Sequence, residues 1–131
     1  MGYNTGIDFD KILHVVKTYE RLYETTNKYF SFTFNKVKHF ADCRKIVYFQ
    51  SSGRNVRIAT THGNLLCYDK LSKIIKELPP NLFVQLHKSY IVNISFIVEY
   101  SANEVVMSDG VHIPISYSRK EDVHNFLRLN Y

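Results

Sequence analysis

The sequence predicts a mainly β domain, and three observations carry that expectation. Tyr (10) and Phe (9) supply every aromatic and Trp is absent, a composition suited to pleated, half-buried surfaces. Short runs of β-branched and aromatic residues recur at roughly 8–12 residue intervals along most of the chain. Between them lie Gly-containing turn sequences, the strongest of which is Ser108-Asp109-Gly110, an Asp-Gly step between two alternating runs.

The elements follow in order. Residues 8–26 predict a helix, because Phe9, Ile12, Val16, Tyr19 and Tyr23 recur at three- and four-residue steps with Leu13 and Leu22 beside them. Thr5 followed by Asp8 resembles a capping box. The single apolar stripe of this helix needs a partner, either the rest of the domain or an upstream domain or second protomer. From Tyr29 the period changes, and Tyr29–Phe34 reads as a strand. Further strands are expected at Lys45–Phe49, Val56–Thr60, Asn64–Tyr68, Phe83–Leu86, Ile97–Tyr100, Glu104–Met107 and Val111–Ile115. Ser51–Asn55 and Thr61–Asn64 have hairpin-turn chemistry. Two short helices interrupt the strands. Asp69 is placed to cap Lys70–Leu78, which Pro79-Pro80 ends, and Ser118 is placed to cap Arg119–Leu129.

With 131 residues the chain has room for one domain, large enough to bury a core without disulfides or metal. Cys43 and Cys67 form no CxxC pair and read as free thiols of a reducing, cytoplasmic compartment. No apolar run is long enough to span a membrane, and the N-terminus has no apolar signal core. The net charge of +5 is unevenly placed. Residues 41–78 hold seven Lys/Arg against three Asp/Glu, whereas 79–131 hold four against five. A mid-chain excess suits a polyanionic partner, although a solvated basic face produces the same imbalance.

Enzymatic signatures are missing from the sequence. There is no GxSxG, HExxH, P-loop or GxGxxG, and the nearest nucleophile-base pairs, His87 with Ser89 and Cys43 with His39, lack an orienting carboxylate in sequence. The expectation is a protein that is not an enzyme and needs no cofactor or metal. The most distinctive stretch is Phe83–Asn93, in which His87-Lys88-Ser89 lies between apolar runs. It reads either as a turn whose Ser89 and Asn93 satisfy backbone groups, or as a nucleic-acid reading head.

That stretch resembles the signature of the LytTR family of bacterial DNA-binding domains, namely a phenylalanine, a His-basic-Ser-aromatic step, an aliphatic pair and Asn. The resemblance extends along the chain. Lys45–Phe49 is similar to the family's early strand, Ser51–Ile58 to its basic hairpin and Leu71–Leu78 to its "sL..l...L" helix. Ile97 follows Val-Asn as in the family, and Ile113-Pro114-Ile115-Ser116 resembles its "iPvS" step. About residues 28–130 are covered, in family order.

The resemblance implies an elongated arrangement of small antiparallel sheets in series with short helices, which presents loops to successive major grooves of duplex DNA. It also implies a bacterial transcriptional regulator, as a response-regulator output domain or a stand-alone protein. Residues 1–27 would then be an N-terminal helix and linker, either the end of an upstream receiver domain or the start of a small stand-alone regulator, and 28–131 the DNA-binding domain. The expected partner is promoter DNA carrying paired direct repeats, bound as a homodimer. Carried across residue by residue, the base-reading set is Arg54, Asn55, His87, Lys88, Ser118 and Arg119. At the third position the basic residue sits one place late, so either Arg119 reaches the DNA or Tyr117 and Ser118 contact it without charge. Lys36, Lys38, Arg44, Lys45, Arg57, Ser89 and Tyr117 are the phosphate-contact candidates. The competing expectation is a protein-interaction module using the N-terminal helix and strand edges.

Overall fold

A computed structural model describes residue 8 and residues 10–15 and 28–130. Residues 10–15 are helical, and the remainder of the helix expected over 8–26 lies outside the described residues. Asp8 Oδ1 accepts from the Lys11 amide at 3.1 Å at the start of this segment, and Thr5 of the expected capping box lies outside the described residues. Ile12, Leu13 and Val15 are exposed.

Ten strands form three antiparallel sheets, in agreement with the expected small sheets and short helices. β1 (Tyr29–Phe34) and β2 (Val37–Asp42) make a hairpin. The central sheet has the order β5-β4-β3-β7-β6, from β3 (Ile46–Ser52), β4 (Asn55–Thr60), β5 (Gly63–Tyr68), β6 (Phe83–His87) and β7 (Tyr90–Asn93). The third sheet orders β10 (His112–Pro114), β9 (Glu104–Met107) and β8 (Ile97–Tyr100). Among the described residues, the helices α1 (Leu71–Glu77) and α2 (Lys120–Asn130) pack beside these sheets, in addition to the helical residues 10–15.

Burial explains this layering. Ile46, Val47, Tyr48 and Phe49 of β3 are all buried, because both faces of the central sheet are covered. On one face Phe49, Val56, Ile58, Phe83 and Ile91 pack against Phe30 and Phe32 of β1 and Leu71 and Ile74 of α1. On the other, Tyr48, Ala59, Leu86 and Val92 pack against Val105, Met107 and Ile113 of the third sheet and Val123 and Leu127 of α2. A strand buried on both sides shows no alternation and reads as a continuous apolar run.

Both helix starts depart from the sequence expectation. Lys70, not Asp69, is the cap residue of α1, its carbonyl accepting from Lys73 and Ile74. The Asp69 carboxylate instead accepts from the Lys70 amide and pairs with Lys73 at 3.6 Å. Ser118 lies inside a 3₁₀ turn, Tyr117–Arg119, whose cap is Ser116. Its place one turn later than a cap follows from Ser116 being pinned to β6, described below.

Cys43 and Cys67 are buried in the first core, where desolvation pushes both thiols up to about 11. Alkylation by iodoacetamide at neutral pH is therefore expected to be negligible in the folded chain and complete once it is unfolded. Rapid native labelling of either cysteine would contradict the placement of both.

Candidate nucleic-acid interface

Four surface segments end up on one edge of the molecule, and backbone hydrogen bonds put them there. The first is the tip between β3 and β4, a two-residue turn of Gly53 and Arg54 with Ser52 opposite Asn55. Gly53 has φ 62°, which suits the first central position of a II′ hairpin turn and is strained for any residue with a side chain. Arg54 is thereby projected into solvent at the apex, with Asn55 half-buried beneath it.

The second is the tip between β6 and β7, where Lys88 and Ser89 connect His87 to its partner Tyr90. Lys88 is exposed. The Ser89 amide donates to His87 Nδ1 at 3.1 Å, so in the neutral ring the proton sits on Nε2 and that edge is a donor. Ser89 thus offers the ring its amide, not its hydroxyl. The Ser89 carbonyl accepts from the Ser51 amide at 2.9 Å, extending the β3–β7 ladder to the tips. Arg54 and Lys88 therefore sit on neighbouring hairpins at the same end of the sheet.

The third segment follows β10. The Ser116 amide and hydroxyl both donate to the Leu86 carbonyl, at 2.9 and 3.4 Å, which pins the start of the 3₁₀ turn beside the Lys88 tip. Tyr117 is 88% exposed and Ser118 is also exposed, whereas Arg119 is half-buried. Lys120 lies over the Tyr117 ring at 5.5 Å and donates to Asn103 at 2.6 Å.

The fourth carries two of the expected phosphate-contact candidates, Lys36 and Lys38. The β1–β2 turn, Asn35 and Lys36, has φ 52° and 64°, a type I′ geometry. Phe34 stacks on Tyr68 at 5.5 Å, and Tyr68 pairs with Asn55, so Lys36 and Lys38 are exposed beside the Arg54 tip. Tyr68, 64% exposed, belongs to this edge and was missed in the sequence. Its only signal there is its place at the end of an alternating strand.

Other expected residues do not join the row. Arg44 and Lys45 precede β3 at its opposite end, where the Lys45 carbonyl accepts from Thr61 of the β4–β5 turn. The length of β3 puts them about 20 Å from the tips. Arg44 also chelates Asp42 through Nε and Nη2 at 3.2 and 2.9 Å, and this bond holds the Asp42 carboxyl below its usual range. Arg57 is half-buried, and its Nη2 donates to Tyr48 Oη at 3.0 Å and Gln50 Oε1 at 2.7 Å. Burial pushes the Tyr48 phenol up, against the opposing pull of Arg57, so Tyr48 keeps its proton. His39 stacks on Phe32 at 5.1 Å as a packing residue.

The row is cationic. The ion pairs among the described residues join Arg44 to Asp42, Lys73 to Asp69 and His112 to Glu104, and none of them engages Lys36, Lys38, Arg54 or Lys88. Among the described residues no three His, Cys, Asp or Glu side chains gather as a metal-ligand set, and no helix is long and apolar enough to cross a membrane.

Comparison with known proteins places this edge in a context. The LytTR model, described as the LytTr DNA-binding domain, matches residues 36–128. The sensory transduction protein LytT of Bacillus subtilis is 28% identical over 93 residues, 67% of this chain and 39% of that protein. The transcriptional regulatory protein NatR of the same organism is 33% identical over 64 residues, 49% of this chain and 28% of that protein. The matched region thus spans well under half of these relatives. Among solved structures, the LytTr DNA-binding domain of a putative methyl-accepting/DNA response regulator from Bacillus cereus superposes with a TM-score of 0.67. It does so at 17% identity, over 77% of this chain and 97% of that one, and so speaks for the fold. A family model spanning all of the central and third sheets, on a fold that matches it, makes the conclusion plain: the chain belongs to the LytTR DNA-binding domain family.

Proposed function

We propose that this domain reads duplex DNA in a sequence-specific way through the row of tips, as the output part of a bacterial transcriptional regulator. The observation that carries the reading is the alignment of Arg54, Lys88 and Tyr117-Ser118 on one edge by the Ser51–Ser89 and Ser116–Leu86 hydrogen bonds. Hairpins two strand spacings apart put successive tips about 10 Å from one another. That spacing holds for the Arg54 and Lys88 tips, which share the central sheet. Placement of the Arg54 and Lys88 tips at one end of the sheet, with Tyr117-Ser118 held beside the second, supports presentation of these loops to successive major grooves.

In this reading Arg54 presents a guanidinium fork for guanine O6/N7, and Asn55 stands beside it. His87 Nε2–H and Lys88 supply donors at the second position. At the third, Tyr117 and Ser118 are the exposed groups, and we assign the contact to them ahead of the half-buried Arg119. Lys36 and Lys38 hold phosphates, with Ser89 available to a neighbouring phosphate. Arg44 and Lys45 lie at the far end of β3 and are outside the footprint. An upstream receiver domain, cytoplasmic action and assembly as a homodimer on paired direct repeats complete the proposal.

Selection of bound sequences from a random duplex pool tests it directly. The expected result is a repeated half-site in the same orientation, separated by about one or two helical turns. Retention of no duplex at about 150 mM salt would favour an interaction module instead. Within the footprint, Lys36→Ala should reduce the salt slope of binding by about one phosphate, whereas Lys45→Ala should leave it unchanged. The reverse pattern would place the phosphate backbone at the wrong end of β3.

A further inference from the structure

Behind the tips, a chain of side-chain hydrogen bonds crosses three strands. Arg57 on β4 donates to Gln50 Oε1 on β3, and Gln50 Nε2 donates to Tyr90 Oη on β7 at 3.0 Å. Gln50 faces Arg57 across one ladder and Tyr90 across the other, so the three side chains stand in register on one face of the sheet. Each end is fixed by rings. The Arg57 guanidinium lies over Tyr48 at 5.5 Å, and Tyr90 meets Tyr48 and His87 edge-on at 6.4 and 6.1 Å.

The chemistry of this chain makes it directional. The Gln50 amide uses its oxygen for Arg57 and its nitrogen for Tyr90, so a flip would set donor against donor on the guanidinium side. Arg57 lies three residues after Arg54, and Tyr90 one residue after the Lys88-Ser89 turn. The two base-reading hairpins are thus joined by the β3–β7 ladder and also by a polar bridge that runs from β4 across β3 to β7.

We infer that Arg57, Gln50 and Tyr90 are positioning residues that lock the Arg54 tip to the Lys88 tip, so that sequence specificity depends on a bridge standing behind the reading groups. The inference rests on the proposed reading of duplex DNA. It also gives Arg57 a different task from the phosphate contact expected from the sequence, because its guanidinium is engaged inside the domain.

Three variants of the full chain test it: Arg57→Met, which keeps the stem, Gln50→Leu and Tyr90→Phe, which removes one hydroxyl. Affinities for a selected site and for random duplex are measured over a salt series. Each variant should bind the selected site about three- to tenfold more weakly, with random-duplex affinity and salt slope unchanged. Arg57→Met combined with Tyr90→Phe should lose no more than the larger single loss, because both break the same bridge. In the absence of DNA, Arg57→Met should shift the amide resonances of Lys88 and Ser89, two strands away. A slope reduced by about one in Arg57→Met would make it a phosphate ligand. Additive losses, or unmoved Lys88 and Ser89 amides, would overturn the bridge. Failure of the unmutated chain to prefer any duplex would instead overturn the proposed function, and the DNA-free amide shifts distinguish the two failures.

Discussion

Arg54→Ala is expected to weaken binding to the cognate duplex about 10- to 100-fold while changing affinity for random duplex less than about threefold. The asymmetry follows from where the residue sits. A bidentate arginine–guanine contact discriminates by about 1–3 kcal/mol, and the two-residue turn over Gly53 leaves Arg54 at an apex with no carboxylate partner among the described residues. Phosphate contacts would be felt equally by every sequence, and in the proposed reading they fall to Lys36 and Lys38. Equal losses on cognate and random DNA would remove Arg54 from the reading set. Lys88→Ala should show the same asymmetry with a smaller amplitude, because an ammonium makes no planar fork.

The largest expected effect on stability is that of Asn93→Ala. Asn93 is fully buried, and its side chain ties three backbone groups together. Nδ2 donates to the carbonyls of Ile46 at 2.9 Å and Cys43 at 3.3 Å, and Oδ1 accepts from the Ser95 amide at 2.9 Å. Alanine would leave the two buried carbonyls and the part-buried Ser95 amide without that partner, a loss of about 2–4 kcal/mol. For a domain of this size that is a fall in Tm of about 10–20 °C. Thermal unfolding followed by circular dichroism measures it, and a Tm within about 2 °C of the parent would show that the network carries no such weight. The conspicuous Asn of the sequence motif is thus a structural clasp between β7 and the start of β3, while the lysine five residues before it faces the solvent.

Much of this was legible because it is local. Gly53-Arg54, Asp109-Gly110 and the Phe83–Asn93 motif mark their turns by residue type, and Arg54 and Lys88 were correctly placed at exposed turns. β2 was missed because it is an edge strand with Val37 and Phe40 exposed and Lys38 and His39 between them, so no clean alternation marks it. β7 was missed because its four residues follow a two-residue turn, and Tyr90–Asn93 reads as the tail of one motif. Helix starts failed for another reason. Asp69 and Ser118 are good capping types, but the Asp69 carboxylate is taken by the Lys70 amide and Lys73, and the bonds from Ser116 to Leu86 set where the chain turns toward α2. The shared edge itself has no local signal, since it depends on pairing β3 with a strand some 40 positions away.

That pairing also orders events during folding. β3–β4 and β4–β5 are hairpins closed by two-residue turns, and such local contacts form in microseconds. Joining β3 to β7 requires closing a much longer loop before any bond compensates for the lost chain entropy. A ribosome that has released the chain only as far as Leu78 has already supplied the Arg54 apex with Lys36, Lys38 and Tyr68 beside it, but neither the Lys88 tip nor Tyr117-Ser118. In the proposed reading, the ability to tell one DNA sequence from another therefore arrives late in synthesis, when the Phe83–Asn93 hairpin docks along the free side of β3.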